Sequence, residues 1–367
     1  MPAEIEHASE GVKRIHCSNC GAELKYAPGS DFLICNYCDT RNEIVDAAVE
    51  IKELDLNEYL RSEAAKVPQG VVEALECSTC GAHNPFDASN VGKECMFCGG
   101  HLLTKDASKI DQIRPQAVLP FNLDQRAAIA KYREWLKGLW FAPNDLQKMQ
   151  NLPDKVKGIY LPFWTFDADT RSFYHGERGV DRTVVESYAT TVNGKNETRT
   201  RTKVETDWYP ASGTVDHFFD DEVVVAHTAL PEQKIDALQP WNLSDIRPFH
   251  DDYLRGYLVE SYDIGLEEGF AVGKKRIDAG IRELVRADIG GDRQRIHSID
   301  SEYNNLTFKH LLLPVYVNAY RFKGKSYTFL VNGQTGKVIG ERPYSAAKIT
   351  LLVLAILLVV AVIAYFA

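Results

Sequence analysis

The sequence predicts an α+β protein with a mostly antiparallel sheet, two small cysteine-bound ribbons and one membrane helix. Three observations carry this prediction. A cysteine motif occurs twice in the first hundred residues, the stretch from Gly158 to Val225 alternates in the manner of β-strands, and the last 19 residues hold no charge. Strand-like stretches on both sides of a long amphipathic helix, without a regular βαβ alternation, favour the α+β class.

The eight cysteines form two copies of the spacing C-x2-C-x14-C-x2-C, and none is left over. The two copies consist of Cys17, Cys20, Cys35 and Cys38, and of Cys77, Cys80, Cys95 and Cys98. Each C-x2-C pair brings two thiolates to one side of a tight turn, and two such turns complete a tetrahedral four-sulfur site. Glycine follows the second cysteine in three of the four pairs and supplies the positive φ of the turn. Only Cys38 is followed by aspartate, which tolerates that conformation.

This spacing predicts two structural zinc sites, each with four cysteine ligands and each holding a zinc ribbon. A segment of about 25 residues buries too little apolar surface to fold alone, so metal binding would supply its stability. Four thiolates leave no open coordination position, and a catalytic zinc is therefore not expected. Iron in the same geometry and disulfide pairing are the alternatives, of which a reducing compartment disfavours the second.

The segment from Ile349 to Ala367 predicts a single transmembrane helix. Its 19 residues would span about 28 Å, which is close to the thickness of a hydrocarbon core. A buried core helix is the alternative, but such helices rarely run this long without a charge. Arg342 and Lys348 precede the segment. This positive flank predicts a tail anchor in the cytoplasmic (inner) membrane, with residues 1–348 facing the cytoplasm and residues 349–367 in the lipid.

The chain therefore divides into five predicted parts. They are zinc ribbon 1 (1–43), a helical linker (44–70), zinc ribbon 2 (71–104), an α+β domain (105–345) and the transmembrane tail anchor (346–367).

Within these parts, hydrophobic spacing and turn residues predict the following helices and hairpins. The helices cover 44–66, 124–140, 144–149 and 264–287, and the hairpins turn at Asn193-Gly194 and between Gly333 and Gly336. Two segments, Leu161-Pro162 and Leu313-Pro314 with the residues around them, resemble each other, which suggests a duplicated β-element.

Charge argues against nucleic acid as the partner. The whole chain has a net charge of -9, and residues 1–110 contain 10 Lys and Arg against 18 Asp and Glu. Such a surface repels phosphate. The aromatic residues beside the cysteine turns are interpreted as small ribbon cores and not as base-stacking platforms; they are Tyr26, Phe32, Tyr37, Phe86 and Phe97.

The sequence offers no catalytic constellation, and we expect the protein not to be an enzyme. Gly324-Lys325-Ser326 resembles the end of a P-loop, but Ala319 stands where that motif needs glycine. Asp167 and Asp169 are interpreted as a solvated strand face, and His250 with its two following aspartates as a helix cap. An enzyme would instead need a concave site that joins these groups.

Several motifs, together with the paired ribbons and the apolar tail, resemble one family. They are GIYLPFW (158–164), WYPASGTVDHFFDD (208–221), DIGGD (288–292) and VNGQTGK (331–337). The chain resembles bacterial membrane-anchored TFIIB-type zinc-ribbon proteins, sometimes labelled primosomal helicase-like, although it lacks helicase motifs. The resemblance implies an association with membrane-stress systems that contain phage-shock protein A or SPFH-type proteins. It adds no functional residues beyond the eight cysteines.

We therefore expect a non-enzymatic adaptor or scaffold that recruits soluble cytoplasmic proteins to the membrane. The anchor would fix its location, and the ribbons would present rigid binding surfaces. A membrane-tethered nucleic-acid binder is the alternative, because ribbons of this kind serve that purpose elsewhere.

Overall fold

The structure is a computed structural model that describes residues 16–44, 50–62, 69–77, 79, 83–85, 95, 97, 107–143, 156–192, 195–322 and 325–366. The helices among them are α1 (Leu56–Arg61), α2 (Gln125–Lys137), α3 (Glu232–Asp236), α4 (Leu266–Ile289) and α5 (Ala346–Phe366). The strands are β1 (Leu24–Tyr26), β2 (Phe32–Cys35), β3 (Arg41–Glu43), β4 (Leu54–Asp55), β5 (Gln69–Glu76), β6 (His83–Pro85), β7 (Ala107–Ile113), β8 (Ala117–Val118), β9 (Lys157–Val192), β10 (Lys195–Val225), β11 (Arg247–Pro248), β12 (Leu258–Val259), β13 (Arg293–Phe322), β14 (Lys325–Asn332) and β15 (Val338–Gly340).

A central sheet in the order β10-β9-β13-β14-β15 organises the molecule. All four neighbouring pairs along this order are antiparallel, whereas the short strands β12 and β8 add parallel pairs to β9 and β13. The predicted α+β class with a mostly antiparallel sheet is confirmed.

The predicted hairpin at Asn193-Gly194 is the longest feature of the sheet. Strands β9 and β10 pair without interruption from Val192 opposite Lys195 to Phe219 opposite Ala168, and resume beyond a bulge. The turn itself lies outside the described residues. Strand β13 accompanies β9 only as far as the pair Arg293–Gly179, so the distal part of the hairpin is a two-stranded ribbon. The second predicted hairpin, β14 with β15, is also confirmed.

The two similar Leu-Pro segments are neighbours in the sheet. Leu161 on β9 pairs with Leu313 on β13. The carbonyl oxygens of Pro162 and Pro314 accept hydrogen bonds from Ala226 and Gly333 respectively, away from the shared β9–β13 ladder. Each proline lies where its strand changes neighbour on that outer side, from β10 to β12 or from β8 to β14. Proline has no N–H group to donate to a neighbouring strand. Each of these prolines lies where the outer ladder is interrupted, so its missing N–H costs no ladder hydrogen bond.

Helix α4 covers one face of the long strands, as its predicted apolar face requires. Ile277, Ile281 and Val285 are buried in the same cluster as Trp164 and Phe166. Helix α4 approaches β9 closely at two glycines. A Cβ at Gly269 would lie 2.5 Å from Trp164, and one at Gly273 would lie 2.8 Å from Phe166.

Helix α2 packs on the sheet farther along, against Phe329 and Val331 of β14. Asp124 caps it by accepting a hydrogen bond from the Ala127 N–H at 2.7 Å, in agreement with the helix predicted over 124–140. Tyr132 is buried and stacks on Phe329 with ring centroids 3.6 Å apart. Ile129 and Leu136 of the same helix are buried as well, so its apolar face is part of the core. The short helix predicted at 144–149 lies outside the described residues.

The helix predicted over 44–66 is wrong for residues 50–55. Helix α1 covers only Leu56–Arg61, and Leu54 and Asp55 before it form β4, which pairs with β13. Tertiary contacts override local helix propensity here. Leu56 is buried, and Tyr59 packs edge-on against Phe308 at 5.2 Å.

Both cysteine segments are packed against the sheet. The first cysteine segment (residues 16–44) contains the sheet β1-β2-β3, and its Tyr26 packs edge-on against Tyr253 with ring centroids 5.3 Å apart. The second cysteine segment (residues 69–113) contains the sheet β6-β5-β7. The Phe97 carbonyl accepts a buried hydrogen bond from the Thr328 hydroxyl at 2.9 Å.

Helix α5 is the one described helix that is long and apolar enough to cross a membrane. It has 21 residues, its most apolar window has a mean hydropathy of 3.1, and none of that window is buried in the protein. The helix begins at Ala346, three residues before the predicted Ile349.

Candidate metal centre

Four cysteines of the first segment converge as their spacing predicts. The Sγ atoms of Cys17, Cys20, Cys35 and Cys38 lie within 4.8 Å of one another. Cys17 and Cys38 are 3.5 Å apart, and Cys20 is 3.4 Å from Cys35. A tetrahedron with metal–sulfur bonds of about 2.3 Å has sulfur–sulfur edges of about 3.8 Å. The cluster is therefore of the right size to hold one metal ion, with slight expansion.

Each cysteine pair lies in the tight turn that the sequence predicts. The Gly21 N–H donates to the Cys17 carbonyl at 2.9 Å, and the Asp39 N–H donates to the Cys35 carbonyl at 3.0 Å. Gly21 has φ of 72° and Asp39 has φ of 54°. Asp39 thus adopts the left-handed conformation that glycine supplies in the other turn.

The electrostatics of the four thiols favour a cation between them. Hydrogen bonds from the side chain and backbone of Thr40 lower the pKa of Cys38 to about 6. A hydrogen bond from the Ala22 N–H lowers the pKa of Cys20. The side-chain hydrogen bonds of Cys20 with Cys38 and Cys35 have the opposite and larger combined effect, and they raise this pKa to about 12. Four thiolates this close repel one another, and a divalent cation removes that obstacle to ionisation.

The donor set defines the chemistry that an ion would have here. Four sulfur ligands in tetrahedral arrangement suit zinc, or iron in the same geometry. Such an ion has no free position for water or substrate, so its contribution is to cross-link the two turns. Cys17 and Cys35 are buried in the same apolar cluster as Tyr253 and Phe329 of the main sheet region.

The second set of cysteines is described only in part. Cys77 and Cys95 are buried and belong to the apolar cluster that contains Leu161, Val315 and Leu330 of the central sheet. Cys80 and Cys98 lie outside the described residues.

The aromatic residues beside the cysteine turns divide into two groups. Tyr26 and Phe97 are buried, as the interpretation as ribbon core requires, and Phe32 is half-buried beneath the Arg41 guanidinium. Tyr37 contradicts that interpretation. It lies between Cys35 and Cys38, and its side chain is 87% exposed. Phe86 lies outside the described residues.

A second cluster of acidic groups lies inside the main sheet, and sequence analysis did not find it. Carboxylate oxygens of Asp167, Asp220 and Asp221 lie within 4.8 Å of one another. Asp167 is 1% exposed, so its interpretation as part of a solvated strand face is wrong. A bulge in β10 at residues 219–222, with Asp221 at a φ of 52°, turns the Asp221 N–H onto Asp167 Oδ1 at 2.6 Å.

The ammonium group of Lys309 fills this acidic cluster. Its Nζ lies 2.7 Å from Asp221, 2.8 Å from Glu53 and 3.8 Å from Asp167. The acidic neighbours raise the pKa of Lys309 despite its burial, while burial raises the pKa of Asp167 to about 6. A buried cation with these partners makes the cluster an internal ion network and not a metal site. The sequence signal was a charge inside each of two apolar runs, at Asp167 and Lys309.

The remaining titratable candidates have structural roles. His250 caps the short helix 251–254, and its Nδ1 accepts a hydrogen bond from the Asp252 N–H at 3.3 Å, as predicted. Asp169 accepts a hydrogen bond from the Asn305 amide at 2.8 Å. His227 and His310 are fully buried, and burial lowers their pKa to about 3 and about 4.

The chain is similar in sequence to a protein without an assigned role. It is 25% identical over 334 residues to the uncharacterized protein YdjG of Bacillus subtilis (strain 168), and the match covers 91% of each chain. No family model matches the chain, and no solved structure matches it. Because it covers so much of the chain, the similarity to YdjG extends well beyond the central sheet.

Proposed function

We propose that this protein is a membrane-anchored, non-catalytic adaptor whose zinc-bound ribbons recruit soluble proteins to the membrane. The observation that carries the proposal is Tyr37, a large aromatic side chain 87% exposed within a turn of the metal cluster. A residue held this rigidly by two flanking cysteines loses little entropy on binding, and aromatic residues dominate the energetics of protein interfaces.

The proposal assigns zinc to two four-cysteine sites. The first is the cluster of Cys17, Cys20, Cys35 and Cys38. The second comprises Cys77, Cys80, Cys95 and Cys98, and it is supported by the identical spacing and by the burial of Cys77 and Cys95. Both ions would be structural, because neither site leaves a position open.

The proposed location is the cytoplasmic membrane, with residues 1–348 in the cytoplasm. Helix α5 supplies the span, and Arg342 and Lys348 form a positive flank on one side of it. A cytoplasmic location keeps the thiols reduced and available for metal. Phage-shock protein A and SPFH-type proteins, implied by the family resemblance, are the candidate partners.

Co-purification from membranes in mild detergent tests the proposal. Tyr37→Ala should retain zinc and lose a specific partner, because the change removes the contact surface and leaves all cysteines in place. Tyr209→Ala is the matched control, since Tyr209 is 55% exposed but lies on β10. Cys17→Ser/Cys20→Ser should lose one zinc and the same partner.

Two outcomes would contradict the proposal. An unchanged set of bound proteins in both the tyrosine and the cysteine variants would exclude the first cysteine segment as the recruiting surface. Salt-sensitive binding of the detergent-solubilised chain to duplex or single-stranded nucleic acid, lost in Tyr37→Ala, would assign the exposed tyrosine to nucleic acid instead.

A further inference from the structure

The length of helix α5 fixes where the rest of the protein meets the lipid. Its 21 residues span about 31 Å, which matches a hydrocarbon core of about 30 Å with almost no excess. If α5 spans the bilayer, as the proposed function requires, its first residues, 346–348, lie at one edge of the hydrocarbon. Residues in contact with the first turn of α5 then lie at the level of the lipid headgroups.

The turn that follows α2 is such a contact. The Ser345 N–H donates to the Phe141 carbonyl at 2.8 Å, and the Lys348 ammonium donates to the Ala142 carbonyl at 2.8 Å. These bonds join the turn at residues 138–143 to the beginning of the membrane helix on both sides of Ala346. The turn therefore cannot move away from the membrane surface without breaking them.

This junction carries aromatic side chains that the protein leaves uncovered. Trp140 is 73% exposed and Tyr344 is 61% exposed. Trp164, in contrast, is fully buried in the sheet. Tryptophan and tyrosine are the residues enriched at membrane–water interfaces, because an apolar ring and a polar N–H or O–H both find partners there.

A shallow concavity of about 650 Å³ opens at the same place. It is lined by Trp135, Leu139, Tyr327, Gly340, Glu341, Arg342 and Tyr344. Glu341 is paired with Lys234 at 2.6 Å, whereas no described carboxylate forms an ion pair with Arg342. The Arg342 guanidinium lies over the Tyr344 ring, 5.2 Å from its centroid. The concavity therefore combines aromatic walls with one uncompensated cation.

We propose that this surface, formed by residues 138–143 and 340–345, is a binding site for the headgroup of a membrane phospholipid. Arg342 binds the phosphate diester through its guanidinium, since that geometry suits bidentate recognition of phosphate. Trp140 and Tyr344 lie in the interface beside it. The site orients the whole sheet on the bilayer, and this inference rests on the proposed membrane anchoring.

Fluorescence quenching tests the position of Trp140. The full chain is reconstituted into phosphatidylcholine and phosphatidylglycerol vesicles whose acyl chains carry bromine near the headgroup. Bromine quenches tryptophan only at close range, so Trp140→Phe should remove most of the quenching seen for the wild type. Trp208→Phe should leave it unchanged, because Trp208 lies on β10 in the long hairpin. Equal quenching of wild type and Trp140→Phe would overturn the proposal.

Lipid retention tests Arg342. Phosphatidylglycerol bound to the detergent-solubilised full chain is counted by native mass spectrometry. Arg342→Ala should lose a bound lipid that Arg286→Ala, a control in the last turn of α4, retains. Millimolar inorganic phosphate should not displace that lipid, because the proposed site holds the interfacial part of the lipid with Trp140 and Tyr344 in addition to its phosphate with Arg342. Retention of the lipid by Arg342→Ala, or its displacement by phosphate, would refute the site.

Carbonate extraction of the membranes distinguishes a failure of the proposed membrane anchor from a failure of the lipid site alone. A chain released by carbonate would contradict the anchor and the lipid site together. A chain that resists extraction but shows no contribution of Trp140 to quenching would contradict the lipid site alone.

Discussion

The Nζ atom of Lys309 on β13 lies 2.7 Å from Oδ1 of Asp221, which projects from the bulge in β10. Strand β9 lies between β10 and β13, so this ion pair crosses a strand, and Asp167 of that strand lies beneath it. Glu53, from the residues before α1, completes the network. The network thus links all three long strands with the connection between the two cysteine segments.

Replacing Lys309 by methionine should destabilise the protein strongly. The change keeps the length of the side chain but leaves Asp167 and Asp221 without their cation, and losing one partner of a buried pair typically costs about 3–5 kcal/mol. The matched control is Lys203→Met. Lys203 is 57% exposed on β10, and an exposed ion pair contributes about 0.2–1 kcal/mol. Denaturant unfolding of the full chain in detergent should show this contrast, and equal losses would argue against the network.

Asp167→Asn should change the pH dependence of stability. The pKa of Asp167 is raised from 3.8 to about 6, chiefly by burial, so between these values the folded chain binds a proton that the unfolded chain does not. This group therefore stabilises the fold increasingly as the pH falls from 7 towards 4. The asparagine variant lacks that gain. Between pH 8 and pH 4.5, the free energy of unfolding of the wild type should therefore rise by about 2 kcal/mol relative to that of the variant.

Unfolding curves of the two proteins at pH 8, 6.5 and 4.5 measure this difference. Titrating groups outside the Lys309 network are the same in both chains, so their contributions cancel. A constant difference across the three pH values would show that Asp167 has an ordinary pKa.

Gly273→Ala should destabilise the sheet–helix packing. Alanine normally stabilises a helix by about 1 kcal/mol relative to glycine, but here its Cβ would lie 2.8 Å from the Phe166 ring. Overpacking of this kind costs about 1–3 kcal/mol, so the steric effect should prevail. Gly265→Ala is the control, because nothing lies within 4 Å of the added Cβ. A thermal shift for Gly273→Ala no larger than for the control would contradict the close packing.

Removing metal should lower the stability of the main sheet as well as the cysteine segments. Tyr26 packs on Tyr253, and Cys35 is fully buried in the cluster that also contains Phe329. Chelation should therefore shift the principal thermal transition downwards and release about two metal ions per chain, one per four-cysteine site. Ser18→Ala, with an exposed side chain beside Cys17, should behave like the wild type. A principal transition unaffected by chelation would mean that the ribbons fold independently of the sheet.

Local sequence patterns identified several elements because local forces decide them. The spacing of Cys17, Cys20, Cys35 and Cys38 gave the cluster, since a C-x2-C turn leaves the chain few other arrangements. Hydrophobic spacing over 124–140 identified α2, and the long alternating stretches identified β9 and β10. Alternation and capping depend on neighbours within a few residues, so they can be recognised in a single chain.

Three features escaped the sequence because distant contacts decide them. The linker around Leu54 is extended because it pairs with β13. Tyr59, a few residues later, packs against the ring of Phe308. Tyr37 is 87% exposed, and the burial of a side chain in such a turn depends on which elements pack against it after folding. Asp167 is buried because Lys309, 142 positions later in the chain, supplies its counter-charge.

The sequence by itself determined which ligands could meet a metal, which segment could cross a membrane, and which of the long stretches form β9, β10, α2 and α4. Only the tertiary structure decided that both cysteine segments pack against the sheet, that an ion network joins its long strands, and that the turn with Trp140 lies beside the beginning of α5. The physical reason is the separation along the chain of the residues that interact. Turn geometry, periodicity and hydropathy are properties of neighbouring residues, whereas burial, ion pairing and the position of a surface depend on residues that meet only after folding.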